Sequence, residues 1–308
     1  MTAEPSVEAL LTSDEPLSRH TYLRIGGPAR YFATPSDRDQ LRRIAAWAHA
    51  SGLALHVLGG GSNVLVADEG VPGVVISLRD VCGAYEFDGR RVLAGAGVML
   101  PALARAAAER GLGGLEFAIG IPGAVGGALQ SNAGIGDGRE IGALVRAVEV
   151  LDGGAVRALA ADEVTFAYRS SSLRDSGLIV LSATLELSER PSGEIEAEMR
   201  ELLAARAATQ PTAGPNAGSM FRNAEGDYAG RLIEAAGLKG HAVGAAKVSE
   251  LHANFIVHDG SATAADVAAL MSEVQQTVVE RFDVWLQPEI EWWGAGSRPA
   301  PWQGRPAR

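Results

Sequence analysis

Residues 115–134 read Leu-Glu-Phe-Ala-Ile-Gly-Ile-Pro-Gly-Ala-Val-Gly-Gly-Ala-Leu-Gln-Ser-Asn-Ala-Gly. Gly120, Gly123, Gly126, Gly127 and Gly134 interrupt an apolar run, Pro122 stands among them, and Glu116 is the single charge. Glycine at that density is expected to serve neither helix nor strand. It suits a backbone that turns tightly and lies against something flat. Amide N–H groups with no Cβ in the way then reach a phosphate or the polar edge of a heterocycle. A buried turn that packs two elements together would show the same pattern.

The chain has 308 residues, room for two or three domains. Its 38 glycines exceed the usual ~7 % share, and no collagen period or low-complexity block accounts for them, so they belong to loops and close backbone approaches. The formal net charge of −10 argues against general nucleic-acid binding, which needs a basic face, and leaves room for a local cationic pocket. The single cysteine, Cys82, excludes an internal disulfide and a multi-cysteine metal site. It follows the apolar run 74–78 and is expected to be a partly buried structural thiol. The first residues lack the basic and apolar regions of a secretory signal, and no apolar run approaches the ~20 residues of a membrane span. A cytoplasmic protein without membrane or nucleic-acid partners is expected.

Residues 21–32 alternate and then break at Gly26-Gly27-Pro28, which predicts strand, turn, strand. A helix with Ser36 as N-cap places Leu41, Ile44, Ala45 and Ala48 on one face and stops before Gly52. A buried strand over 53–58 runs into Gly59-Gly60-Gly61-Ser62-Asn63, closing a small βαβ unit. Short strands are expected near 74–78, 84–87 and 91–94, then a helix over 100–110 ended by Gly111. Strands return at 147–151 and 178–187. A helix over 195–208 carries Ile195, Met199, Leu202 and Leu203 at helical spacing. Gln-Pro-Thr-Ala-Gly-Pro at 210–215 then breaks the chain. Beyond it come a helix over 228–236, strands around 248–257, and a helix from 263 to about 282 with Val267, Leu270, Met271, Val274 and Val278 on one face. The tail after Gly294 is expected to be disordered. Strand and helix do not alternate throughout, as a doubly wound dinucleotide fold requires.

The loop 59–63 lacks both the G-x-G-x-x-G spacing of a Rossmann fingerprint and the Gly-Lys-Ser/Thr of a Walker loop. It is a nest for a pyrophosphate or a tight strand–strand turn. Tyr168-Arg169-Ser170 sets an arginine among small polar residues, suited to bidentate capture of a carboxylate or phosphate, or simply exposed. Gly218-Ser219-Met220-Phe221 lacks the spacing of a hydrolase elbow, so Ser219 is a fixed hydroxyl beside a pocket or a turn serine. Pro288-Glu289-Ile290-Glu291 places two carboxylates on one face of a strand if extended, or leaves them solvated. The histidines show no compact ligand spacing, and no catalytic metal is expected.

Taken together, residues 21–27, 58–63, 119–127, 168–170, 218–221 and 288–289 resemble one family, the flavoprotein UDP-N-acetylenolpyruvoylglucosamine reductases of peptidoglycan synthesis. The pieces occur in the family's order and span nearly the whole chain. Each alone is weak; together in register they are specific. The resemblance implies an α+β fold. Two subdomains, 1–76 and 77–207, would hold FAD in the manner of vanillyl-alcohol oxidase and p-cresol methylhydroxylase. An α+β domain, 208–287, would bind substrate, and 288–308 would be a catalytic strand with a disordered tail. The short run between Arg169 and the strand at 178 lacks an extra tyrosine-bearing loop, as in the type II form.

The resemblance also implies a reaction: NADPH-dependent reduction of UDP-N-acetyl-3-O-(1-carboxyvinyl)-glucosamine to UDP-N-acetylmuramate through noncovalent FAD. Hydride reaches the enol-ether carbon, and charge builds on the neighbouring carbon and its carboxylate. By match to the motifs, Ser219 donates the proton, Arg169 stabilises the charge and Glu289 assists, best as a neutral acid. FAD contacts would fall on Arg24, Gly59, Gly60, Gly61, Ser62, Asn63, Val64, Ile119, Gly120, Pro122, Gly123, Val125, Gly126, Ala128 and Asn132. Substrate contacts would fall on Tyr168, Asn216, Arg222, His252 and Asn254. Arg222 replaces the family's more usual lysine and keeps a cation for the UDP diphosphate; Ala224 replaces a common proline. His56 is read as structural. A bulky side chain at Gly123 or Gly126 is expected to leave a folded, flavin-poor protein. The alternatives on this fold are an FAD-dependent oxidase of a small alcohol or sugar, and a noncatalytic flavin-binding relative. A monomer or weak dimer is expected.

Overall fold

The computed structural model describes residues 5–296 and 298–305. The chain forms two compact units. The first takes the chain up to Ser13, then Tyr31–Gly60 and Gly73–Ala205; the second takes Asp14–Arg30, Gly61–Pro72 and the chain from Arg206 onward. The units interleave along the sequence instead of following the continuous ranges 1–76, 77–207 and 208–287. The reason lies in the second unit's core and sheet, which draw on residues near 23 and 65.

In the first unit, α1 (Arg38–Ala50) starts at Asp37, whose carboxylate accepts the Gln40 N–H at 2.8 Å. The cap is therefore one residue past Ser36. Leu41, Ile44 and Ala48 are buried along one stripe. Strand Leu55–Leu58 follows and pairs in parallel with Val71–Ser77, Leu55 opposite Val74. A five-stranded sheet is antiparallel, in the order Ala155–Ala160, Val145–Asp152, Ile179–Glu186, Arg91–Gly95, Tyr85–Asp88. Its Val148, Val150, Ala183 and Val92 join Leu100, Leu103 and Ala107 of α2 (Leu100–Ala108) in one core. Cys82 lies in that core, and burial pushes its thiol up to about 11.

The glycine segment departs from its expected irregularity. A 3₁₀ turn, Glu116–Gly120, precedes a helix, α3 (Val125–Ser131). Val125, Ala128 and Leu129 fall at i, i+3 and i+4 and are buried. That packing outweighs the ~1 kcal/mol that each of Gly126 and Gly127 costs a helix. The helix stops at Asn132, which is left-handed at φ 46°. Further on, α4 (Ser192–Thr209) buries Ile195 and Met199, whereas Leu203 is exposed.

In the second unit, no strand forms over 21–25; the chain turns there and enters strand Pro28–Ala33, which passes into the first unit at Tyr31. The core joins Leu23, Ile25 and Leu65 to Met220, Phe221, Ile233 of α5 (Ala229–Ala235), and Val267, Leu270, Met271, Val274 and Val278 of α6 (Ala264–Phe282). Thr263 and Asp266 form a capping box at the start of α6, and the Asp68 carboxylate accepts the N–H groups of Ala264 and Ala265 at 2.8 and 3.0 Å. Strand Val64–Val66 pairs in parallel with Glu291–Trp293, Val64 opposite Glu291. The tail is not disordered over its described end: Ala300–Trp302 is a 3₁₀ turn with Pro301 buried. Trp302 Nε1 donates to the Ile290 carbonyl at 3.0 Å, and its ring lies 5.4 Å from that of Trp292. Two aromatic rings and a proline supply the apolar area that composition alone concealed. Among the described residues, no helix is long and apolar enough to cross a membrane.

Candidate active site

Ser219 and Glu289 are brought together within the second unit. Phe221 and Pro288 form an antiparallel bridge, flanked by the Arg222 N–H donating to Gln287 O at 2.9 Å and the Glu289 N–H donating to Met220 O at 2.8 Å. Half-buried Ser219 thus sits one residue from the partner of Glu289, next to buried Met220 and Phe221. Arg222, next after Phe221, is half-buried.

The serine segment is fixed by side-chain amides. Asn254 is 4 % exposed. Its Oδ1 accepts the Phe221 N–H at 3.0 Å, its Nδ2 donates to the Phe221 carbonyl at 2.8 Å, and its backbone carbonyl accepts the Met220 N–H at 2.8 Å. An amide carries both a donor and an acceptor, so it pairs with a backbone as another strand would. His252 Nδ1 accepts the Asn254 N–H at 3.2 Å, and its ring stands edge-on to Phe255. Burial, seconded by Lys239, holds His252 below the usual imidazole range. Asn216 acts on the other flank: its Nδ2 donates to the carbonyls of Pro211 and Gly214, and its Oδ1 accepts the Gly218 N–H at 3.1 Å. The polar atoms of Asn216 and Asn254, expected to meet substrate, are thus engaged in shaping the loop around Ser219.

Arg169 is presented by the first unit. Phe166–Ala167 and Ser170–Ser171 pair as a hairpin with Tyr168 and Arg169 as its loop. Arg169 has φ 52°, a left-handed conformation costing a non-glycine residue roughly 1–2 kcal/mol. Its guanidinium carbon lies 5.4 Å from the exposed Tyr168 ring. Asn132, 2 % exposed, braces this hairpin: its Nδ2 donates to the Ala167 carbonyl at 3.1 Å and to Glu140 Oε2 at 2.6 Å, and its Oδ1 accepts the Gly142 N–H at 3.0 Å. Ser171 Oγ donates to the Gln130 carbonyl at 3.2 Å. The side chain expected to meet FAD therefore supports the arginine loop.

The glycine segments meet backbone to backbone. A Cβ on Gly60 would stand 2.8 Å from Gly123 Cα, and one on Gly59 would touch Ala124. Gly61 has φ +67°, and a Cβ there would fall 2.0 Å from the His20 carbonyl. Its own carbonyl accepts the Tyr22 N–H, while the N–H groups of Gly60 and Gly61 donate to no backbone carbonyl among the described residues. Unengaged amides at a glycine turn are what a pyrophosphate takes, so this turn fits FAD. Ser62 is half-buried; Val64 is buried in its strand. In the other segment Ile119, Val125 and Ala128 belong to the core, Gly120 and Pro122 are half-buried, and exposed Gly127 has open space where a Cβ would go. Gly126 has a different reason to be glycine. Its N–H donates to Ala96 O, and a Cβ would press on Ala96 at 3.0 Å, so bulk there disturbs the core before any cofactor. Arg24 is exposed at φ 54° in a turn tied by its N–H to Thr21 O. His258 Nε2 donates to the neighbouring Leu23 carbonyl at 2.7 Å. Neither His258 nor Asp68 carries a local motif that would have singled it out.

Residues 29–157 match the FAD binding domain, and residues 210–293 match the UDP-N-acetylenolpyruvoylglucosamine reductase C-terminal domain. UDP-N-acetylenolpyruvoylglucosamine reductase 2 of Symbiobacterium thermophilum is 48% identical over 280 residues, 91% of this chain and 91% of that protein. The reductase of Moorella thermoacetica is 48% identical over 285 residues, 92% of this chain and 93% of that one. The crystal structure of the Thermus caldophilus UDP-N-acetylenolpyruvylglucosamine reductase aligns with TM-score 0.78 at 42% identity, over 90% of this chain and 97% of that one. The chain belongs to the UDP-N-acetylenolpyruvoylglucosamine reductase family.

Proposed function

We propose that the chain is an FAD- and NADPH-dependent oxidoreductase that reduces UDP-N-acetylenolpyruvoylglucosamine to UDP-N-acetylmuramate for peptidoglycan synthesis, in the cytoplasm. In a member of this family, the observation that carries the reading is the register of two segments, with the Glu289 N–H on the Met220 carbonyl beside Ser219. FAD, when bound, supplies the two-electron chemistry between NADPH and the enolpyruvyl carbon. Ser219 gives its hydroxyl proton to the carbon next to the substrate carboxylate. A hydroxyl is a weak acid, and it suffices because the charge-bearing carbon and carboxylate together form a strong base. Arg169 offers a planar fork of donors to that carboxylate as its charge grows. Glu289 holds a proton beside the same charge. Arg222 takes the UDP diphosphate, and the amides of the 59–61 turn take the FAD pyrophosphate.

Anaerobic stopped-flow absorbance tests this reading. NADPH should bleach the bound flavin, and the enolpyruvyl sugar nucleotide should restore its colour. In Ser219→Ala, bleaching should persist while restoration slows about a hundredfold or more. Wild-type restoration in Ser219→Ala would remove the proton-donor assignment. Rapid reoxidation by oxygen without response to the enolpyruvyl compound would favour an oxidase.

A further inference from the structure

Four backbone groups around Glu289 are held by hydrogen bonds. The Glu289 N–H donates to Met220 O, and the Ile290 carbonyl accepts from Trp302 Nε1. The remaining two contacts come from one residue. Asn63 Nδ2 donates to the Glu289 carbonyl at 3.1 Å, and the Asn63 carbonyl accepts the Glu291 N–H at 3.1 Å. Asn63 closes the glycine turn, and it grips both flanks of Ile290 from 226 residues away.

We propose that Asn63 is a positioning residue that sets Glu289, so that the glycine turn and the strand bearing Glu289 move as one; the proposal rests on the role given above to Glu289. The turn is itself a fixed reference. Tyr22 donates to the Gly61 carbonyl at 2.9 Å, and the His20 carbonyl leaves Gly61 no room for a side chain. Val64, directly after Asn63, pairs with Glu291 in the parallel ladder. That ladder sets the strand's register, while the Asn63 amide holds the carbonyl of Glu289 itself. Aspartate has the same shape and no donor, and it sets a negative charge against that carbonyl. Alanine keeps the backbone bond to Glu291 and removes the side-chain bond alone. An anion held by the turn's amides restrains the same backbone, so FAD should quiet the strand that carries Glu289.

The test uses the holoenzyme of Asn63→Ala and Asn63→Asp, with hydrogen exchange and stopped-flow absorbance. Amide exchange over 289–293 should be slower with FAD than without it in the wild type. In both variants it should rise about tenfold, a local loosening of ~1.4 kcal/mol. Flavin oxidation by the enolpyruvyl sugar nucleotide should slow about tenfold more than flavin reduction by NADPH. In a Glu289→Gln background, adding Asn63→Ala should change oxidation little further, because Asn63 acts through Glu289. Wild-type exchange over 289–293 in both variants would overturn the clamp. Equal slowing of the two half-reactions, or fully additive losses in the cycle, would reduce Asn63 to a general structural contact. A Glu289→Gln enzyme with wild-type oxidation would overturn the role of Glu289 while the exchange result still reads the clamp. Should Asn63→Ala not accumulate as folded protein, the isosteric Asn63→Asp carries the same comparison.

Discussion

The site is organised at the residue scale by asparagine. Asn63, Asn132, Asn216 and Asn254 each bond the backbone beside a proposed catalytic residue. The family resemblance assigns these asparagines to FAD or to substrate, as polar side chains in or near its motifs. In the structure they bond mainly backbone groups, several of them tens to hundreds of residues distant, which no spacing rule reveals. The Asn254 clamp in turn depends on His252, whose Nδ1 must be unprotonated to accept the Asn254 N–H. Burial lowers His252, and burial also lowers His56 in the first unit. In the unfolded chain both imidazoles titrate near ~6.5. As pH falls below that value the unfolded state binds more protons, so stability is complete above about 6.5 and is lost down to the depressed folded values. The lowered carboxylates, such as Glu149 beside Arg38, act in a separate and more acidic window. A His56→Gln/His252→Gln double variant should therefore lose less melting temperature than the wild type between about pH 7.5 and 5.5. Equal losses would show that neither histidine is held neutral by the fold.

Elements with long, unbroken periodicity were legible in the sequence, and those decided by distant partners were not. The runs of α1, α2 and α6 carry their own stripe and stop signals, so a local reading finds them. α3 does not, because glycine hides it and only burial of Val125, Ala128 and Leu129 makes it form. The same holds for the strands 64–66 and 291–293, which find each other across most of the chain. The turn leading into the glycine segment depends on Glu116, the one charge there, which is 3 % exposed. Its carboxylate accepts the Gly114 N–H at 2.6 Å and Arg190 Nη1 at 2.8 Å. Arg190 also meets Glu198, which Arg139 shares at 2.5 Å. Arg190 is partly exposed, so water screens its half of the pair, and the firmer loss on removing Glu116 is the acceptor of the Gly114 N–H. Glu116→Ala should thus lower the urea unfolding free energy by about 1–3 kcal/mol, the cost of leaving the Gly114 N–H without its acceptor, and reduce bound flavin along with it. An unchanged midpoint would mean that the network is solvated and idle.

At the scale of the whole molecule, interleaving is the feature with consequences for folding. Residues 210–293 match a named C-terminal domain, yet the core they belong to also needs Leu23, Ile25 and Leu65, each under 5 % exposed. The sheet needs strand 64–66, and the start of α6 needs the Asp68 carboxylate. Burying a large aliphatic side chain contributes ~1.5–3 kcal/mol, so the three missing residues alone withdraw several kcal/mol, on the order of the whole stability of a domain. A fragment comprising residues 206–308 is therefore expected to lack a cooperative thermal transition and to leave the amides of α6 unprotected against exchange. The full chain bearing Leu65→Ala should stay folded and lose about 2–5 kcal/mol, which separates loss of one contact from loss of the interleaved segments. A fragment that melts cooperatively with a protected α6 would show that residues 14–30 and 61–72 dock onto a unit already complete.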